Sequence, residues 1–179
     1  MKQILLIALF LCTISSSFSQ EERFGVPFFT GSGNVTFAVN EHYTLDPDDG
    51  EPFLVPNAVF FRMGFGYEIK KRVAISVNGG FDYHWNYAVS AFPTYFSLKY
   101  NIKEDEGDNF FTEVSYGKMW RPSANYPDGN YYKVGIGTQV KGTGRWNTII
   151  RLDFHRKGII GFENNRLDSI SLGFGFSFF

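Results

Sequence analysis

Residues Ser169 to Phe179 read Ser-Ile-Ser-Leu-Gly-Phe-Gly-Phe-Ser-Phe-Phe, and the same alternation of large apolar with small or polar side chains occurs eight times along the chain. Successive side chains of a β-strand point to opposite faces. A strand that shows one face to lipid and the other to a packed polar interior must therefore alternate in this way. The segments are about 10 residues or a little longer, the length needed to cross a bilayer at a tilt and more than the usual globular strand. The pattern predicts an all-β protein, an eight-stranded antiparallel transmembrane β-barrel of outer-membrane type with up-and-down meander connections.

The period assigns a face to each residue. Val35, Phe37, Val39 and Tyr43 oppose Thr36, Ala38, Asn40 and His42. Val59, Phe61, Met63, Phe65, Tyr67 and Ile69 oppose Phe60, Arg62, Gly64, Gly66 and Glu68. Val73, Ile75, Val77, Phe81, Tyr83 and Trp85 oppose Ala74, Ser76, Asn78, Gly80, Asp82 and His84. The next four segments are marked by Phe96 and Leu98 against Ser97 and Lys99, Val114 and Tyr116 against Glu113 and Ser115, Val134 and Ile136 against Lys133 and Gly135, and Leu152 and Phe154 against Arg151, Asp153 and His155. Long connections at 45–57, 121–129 and 156–167 interleave with shorter ones at 70–71, 103–109 and 142–145. With an even strand count, this places both termini on the periplasmic side. Aromatic residues then gather at both ends of the apolar faces: Tyr43, Tyr83, Trp85, Phe92, Trp120 and Tyr132 outside, and Tyr67, Tyr100, Phe110 and Trp146 inside. Two interfacial girdles are the expected result.

The remaining composition excludes several classes. At 179 residues with 44% hydrophobic and 19% aromatic content, the chain is one ordered domain rather than a disordered segment. It has no apolar run long enough for a transmembrane helix. A formal charge of -1 with scattered Lys and Arg argues against nucleic-acid binding. Residues 1–19 read as a signal peptide, with a Lys2 start, an apolar stretch from Ile4 to Ile14 and small residues before Gln20. The only cysteine, Cys12, lies inside it. The mature chain is then expected to lack both disulfides and thiolate chemistry. Residues 20–33 are left without an assigned structure, as a tail, a strand extension or a short plug, and the barrel is expected over 34–179.

Eight strands leave interior room only for side chains. The inward faces offer Arg62, Glu68, Asp82, Lys99, Glu113, Lys133, Arg151 and Asp153, balanced in sign. Buried charges persist when paired, so a salt-bridged lumen closed to solutes is expected, with no cofactor. His42, His84 and His155, the three histidines, all fall on inward faces toward the outside ends, with Asp82 and Asp153 two residues away from the latter two. They are candidates for a metal or proton-transfer site, weighed against ordinary hydrogen bonding in the lumen.

Architecture and the terminal Phe179 together give a chain that resembles the small eight-stranded outer-membrane barrels of the OmpA/OmpX type over Asn34 to Phe179. The resemblance implies a monomer embedded in outer-membrane lipid, delivered by the barrel-assembly machinery, that meets an extracellular partner through its loops in a structural or surface-interaction role. In that family the terminal aromatic is in phase with the apolar positions. Here Phe178, Phe176 and Phe174 are in phase and Phe179 is not.

Outer-membrane lipid A deacylases offer an enzymatic alternative. His155 and Asp168 match their catalytic His and acid, but Lys157 stands where their Ser should be, which removes the nucleophile and reads better as a contact for lipid phosphate. A secreted lipocalin-like barrel, with its apolar face turned inward around a ligand, has the same period. The polar face, rich in Gly, Ser, Ala and Asn, argues against that option because a solvated face carries more Lys and Glu.

Overall fold

The computed structural model describes residues 25–39, 54–105, 108–121, 125–142, 144–161 and 163–179. Eight strands follow in order: β1 Gly25–Val39, β2 Leu54–Ile69, β3 Val73–His84, β4 Val89–Asp105, β5 Asp108–Trp120, β6 Gly129–Lys141, β7 Trp146–Gly158 and β8 Arg166–Phe178. Each pairs antiparallel with the next, and β8 pairs with β1 to close the barrel.

The first strand begins nine residues earlier than the alternation alone placed it. Gly25 to Gly33 pairs with Ile69 to Phe61, and Phe29 to Phe37 pairs with Phe178 to Ile170. Gly25–Gly33 is thus wall, a strand extension rather than a tail or plug. The barrel starts at Gly25 instead of Asn34.

The ladder register fixes the shape. From Val26 the line of paired residues runs through Glu68, Ala74, Lys99, Glu113, Gly135, Asp153 and Ser171, and returns to β1 at Thr36, ten residues beyond its start. That stagger tilts the strands and sets the bore. Every residue on this line faces inward, so the ladder winds Glu68, Lys99, Glu113 and Asp153 up the bore from the end holding the termini toward its middle.

Alternation appears directly in exposure. Phe61, Met63, Phe65, Phe96 and Phe174 on the outer wall are 59–66% exposed, whereas Phe60, Arg62, Asp82 and Lys133 are buried. An apolar outer wall around a polar interior is the inverse of a lipocalin. The girdle residues Tyr83, Trp85, Phe92, Trp120 and Tyr132, and at the other end Tyr67, Tyr100, Phe110 and Trp146, are all exposed on that wall. Tyr43 lies outside the described residues.

The ends are tied differently. At the end holding the termini, the β2–β3 turn places Lys70 (φ 48) and Lys71 (φ 58) in the left-handed region, the requirement of the hairpin turn that suits strand twist. Arg72 N–H donates to Ile69 O at 3.1 Å, and Asn101 Nδ2 donates to Lys71 O at 2.6 Å. These bonds hold a turn that lysines enter at a steric cost. Phe179, out of phase with the outer wall, turns its ring to Phe28 (centroids 5.6 Å apart) while its N–H donates to Arg145 O at 3.1 Å. The opposite end carries an apolar cluster of Ala91, Tyr95, Met119, Tyr131, Ile159 and Leu167, with Tyr126 from the β5–β6 connection packed against it.

Candidate functional site

Because the bore is narrow, the lumen charges meet partners both on neighbouring strands and across the interior. Asp82 on β3 lies between Arg62 of β2 and Lys157 of β7, whose Nζ is 2.5 Å from Asp82 Oδ2. Glu113 on β5 takes Lys133 Nζ at 2.5 Å and Arg151 Nη2 at 2.9 Å. Arg151 also donates through Nε to Asp153 Oδ2 at 2.6 Å. Nearer the termini, Lys99 Nζ is 3.7 Å from Glu68 and donates to Gln139 Oε1 at 3.0 Å. All eight charged residues of the sequence-based set face inward, each within ion-pairing distance of another lumen charge.

Glycines make this fit. A Cβ on Gly135 would sit 1.9 Å from Asp153 Oδ1, and one on Gly173 would sit 2.8 Å from Arg151 Cγ. Gly135 and Gly173 therefore make room for Asp153 and Arg151.

Lys157 is the member that sequence reasoning misplaced. It is fully buried, Nζ bonded to Asp82 and donating to His84 Nε2 at 2.7 Å, with the Phe60 ring 3.8 Å from it. It cannot reach a lipid phosphate on the outer surface. The signal was present, since Lys157 is in phase with His155; the strand simply runs on to Gly158, past the end that the alternation suggested.

The histidines separate. His84 and His155 flank the Phe60 ring, at centroid distances of 5.3 and 5.2 Å, and His42 lies outside the described residues. His84 accepts from Lys157, which makes Nε2 a lone-pair site already in use. His155 is held at both nitrogens, Nδ1 by Tyr131 OH and Nε2 by Ser171 Oγ, each at 2.7 Å. Among the described residues, no group of three or more His, Cys, Asp or Glu comes together that could hold a metal ion.

The Ser171–His155 pair has the hydroxyl–imidazole contact of a nucleophile and its base, and only the fold reveals it. Both side chains are buried within the packed lumen, and the third partner is a phenol rather than a carboxylate. Asp168, the proposed acid, is on the other side of the wall. His155 pairs in register with Ser169, and Asp168 pairs with Arg156, which donates Nε to Oδ1 at 2.9 Å and Nη2 to Oδ2 at 2.8 Å. The two candidate catalytic residues therefore do not form a site.

The lumen is thus a packed set of ion pairs on an aromatic scaffold. Below it, at the end holding the termini, a mouth of about 540 Å³ is lined by Val26, Pro27, Glu68, Asn109, Gln139 and Arg145 among others.

This chain is similar in fold to Neisserial surface protein A. That crystal structure superposes with a TM-score of 0.66 at 10% identity, covering 86% of this chain and 97% of that one. The solid-state NMR structure of the outer membrane protein AlkL in lipid bilayers aligns with a TM-score of 0.45 at 14% identity, over 89% of this chain and 90% of that one. No protein-family model matches the sequence, and no curated protein matches it. The closed eight-stranded antiparallel barrel of this chain is the fold it shares with Neisserial surface protein A.

Proposed function

We propose that this protein is a monomeric integral outer-membrane barrel with a closed polar lumen, serving a structural or surface-interaction role through the loops at the end opposite the termini. One observation carries the reading: the apolar alternation faces outward all the way round while the ionic residues pair inside. In water, a wall with Phe65, Phe96 and Phe174 about two-thirds exposed would be an aggregation surface; in hydrocarbon it is the expected exterior. The closed ladder satisfies the backbone groups that a bilayer cannot.

Residues 1–19 serve in this reading as a cleaved export signal, and Phe179 with β8 as the end read by the barrel-assembly machinery. The termini then lie in the periplasm, and β1, β3, β5 and β7 end toward the outside. The geometry at His155 and Asp168 gives no support to the deacylase alternative.

The test is membrane residence. The protein should fractionate with the outer membrane, require detergent and migrate faster on a gel unheated than boiled. Recovery as a soluble monomer without detergent would overturn the reading.

A further inference from the structure

On the outer wall, the end opposite the termini carries a polar row that the lumen does not use. Lys118 of β5 pairs in register with Asn130 of β6, and Gly158 of β7 with Arg166 of β8; Tyr131 opposite Lys157 brings Asn130 level with Gly158. Four adjacent strands thus present Lys118, Asn130, Gly158 and Arg166 side by side along one line that climbs outward with the strand tilt. The two cations stand three strand spacings apart, about 14 Å.

Between them the wall is notched. A groove of about 240 Å³ is lined by Lys118, Asp128, Gly129, Asn130, Gly158, Ile160 and Asn165, and Arg166 follows Asn165 in the chain. The strand backbones there approach so closely that a Cβ on Gly129 would lie 1.7 Å from Gly158 O. A Cβ on Gly158 would meet nothing nearer than 3.7 Å, so the groove exists because Gly158 has no side chain. Asp128, the carboxylate of the lining, accepts the Arg121 N–H. Arg166 and Arg156 share Asp168, with side chains 52% and 43% exposed, which leaves positive charge in excess along the row.

The tier below is aromatic. The Tyr116 and Tyr132 rings pack at a tilt of 45° with centroids 5.0 Å apart, and Arg156 lies 5.7 Å over Phe154. Below these the wall continues as Val114, Val134 and Leu152, all exposed. Tyrosines at this level mark the boundary between hydrocarbon and headgroups, so the notched tier sits at headgroup height directly above an apolar wall.

We infer that this groove binds the phosphorylated sugar headgroup of an outer-leaflet glycolipid of lipid A type. Lys118 within the groove and Arg166 beside its Asn165 edge take phosphate, the Asn130 and Asn165 amides meet sugar hydroxyls, and the acyl chains lie on the wall beneath. A free anion would use the cations but not the apolar wall. The inference rests on the membrane orientation proposed above.

The mature chain, refolded into zwitterionic nanodiscs, is given bis-phosphorylated lipid A, its dephosphorylated form or inorganic phosphate, and retained lipid is counted by native mass spectrometry. Bis-phosphorylated lipid A should be held, about tenfold more weakly after Lys118→Ala or Arg166→Ala, as expected for loss of one charge-assisted contact. Gly158→Val, which fills the groove and leaves both cations, should abolish retention, and Lys141→Ala at the opposite end should not change it. Equal retention of the dephosphorylated lipid, undiminished retention by Gly158→Val, or displacement by inorganic phosphate at the lipid's own concentration would overturn the inference, the last by showing a free-anion site. A parent that shows the heat-dependent gel shift yet holds no lipid sinks this inference alone; a parent without the shift sinks the membrane reading as well.

Discussion

Asp82 shows how one side chain holds three strands. It is fully buried between Arg62 and Lys157, and removing it leaves two cations in a low-dielectric bore without their counter-ion. Breaking a buried pair in this way costs about 3 to 5 kcal/mol, so Asp82→Ala should lower the folding free energy by that much in a urea titration of the barrel in lipid. Replacing Arg62, Asp82 and Lys157 together by Met, Leu and Met should recover most of the loss, because apolar substitution of a whole buried ionic group is often neutral. Failure of the triple variant to recover would mean that hydrogen bonds beyond the triad, such as Lys157 to His84, dominate. On the opposite face of the wall, Val77 is more than half exposed. Val77→Arg should cost about 2 to 4 kcal/mol in bilayers if it lies at the midplane, and an unchanged stability would contradict its lipid-facing assignment. His155→Ala should leave lipid A acylation in cells as in the parent, since Asp168 is on the other side of the wall; acyl release that disappears with this variant would revive the enzymatic reading.

At the scale of the strand, parity was legible and boundaries were not. A period of two needs only the order of apolar and polar residues, so the inward placement of Arg62, Asp82, Glu113 and His155 could be read directly. Strand ends depend on what a neighbouring strand can pair with, and that information is not local. β1 is hidden at its start by Pro27 and by Gly25, Gly31 and Gly33, poor strand formers in isolation, yet these residues pair with β2 from Gly25 and with β8 from Phe29. At Gly31 a Cβ would lie 2.6 Å from the Phe176 ring, so one of these glycines is there for the ring of the closing strand. β7 ends later than its alternation suggested, which is why Lys157 looked like a loop residue. The partners within the lumen were also beyond the sequence, because the ten-residue stagger decides them: Lys157 of β7 meets Asp82 of β3, and Gln139 of β6 meets Lys99 of β4, only once the sheet has closed. A chain beginning at Asn34 should therefore fail to close, losing the heat-dependent gel shift, whereas one beginning at Gln20 should keep it. Normal heat modifiability of the shorter chain would show that Gly25–Gly33 is dispensable.

For the whole molecule, the question is whether a barrel with a charged interior conducts. Three successive tiers oppose it. Nearest the termini, Lys99 binds Glu68 and Gln139; in the middle, Glu113, Lys133, Arg151 and Asp153 form a continuous ion-paired group; toward the far end, the Arg62, Asp82 and Lys157 triad sits beneath the apolar cluster of Met119, Tyr131 and Leu167. An ion would have to strip a paired side chain from its partner at each charged tier and then cross apolar side chains, and eight strands give the side chains no room to step aside. Planar-bilayer recordings of the parent should accordingly show no stable steps. Glu113→Gly with Arg151→Gly empties the middle tier alone and should remain silent because the far-end cap is intact. Steady conductance in the parent, or in the variant altered only in its middle tier, would mean that the interior is wet and that the ion pairs do not seal it.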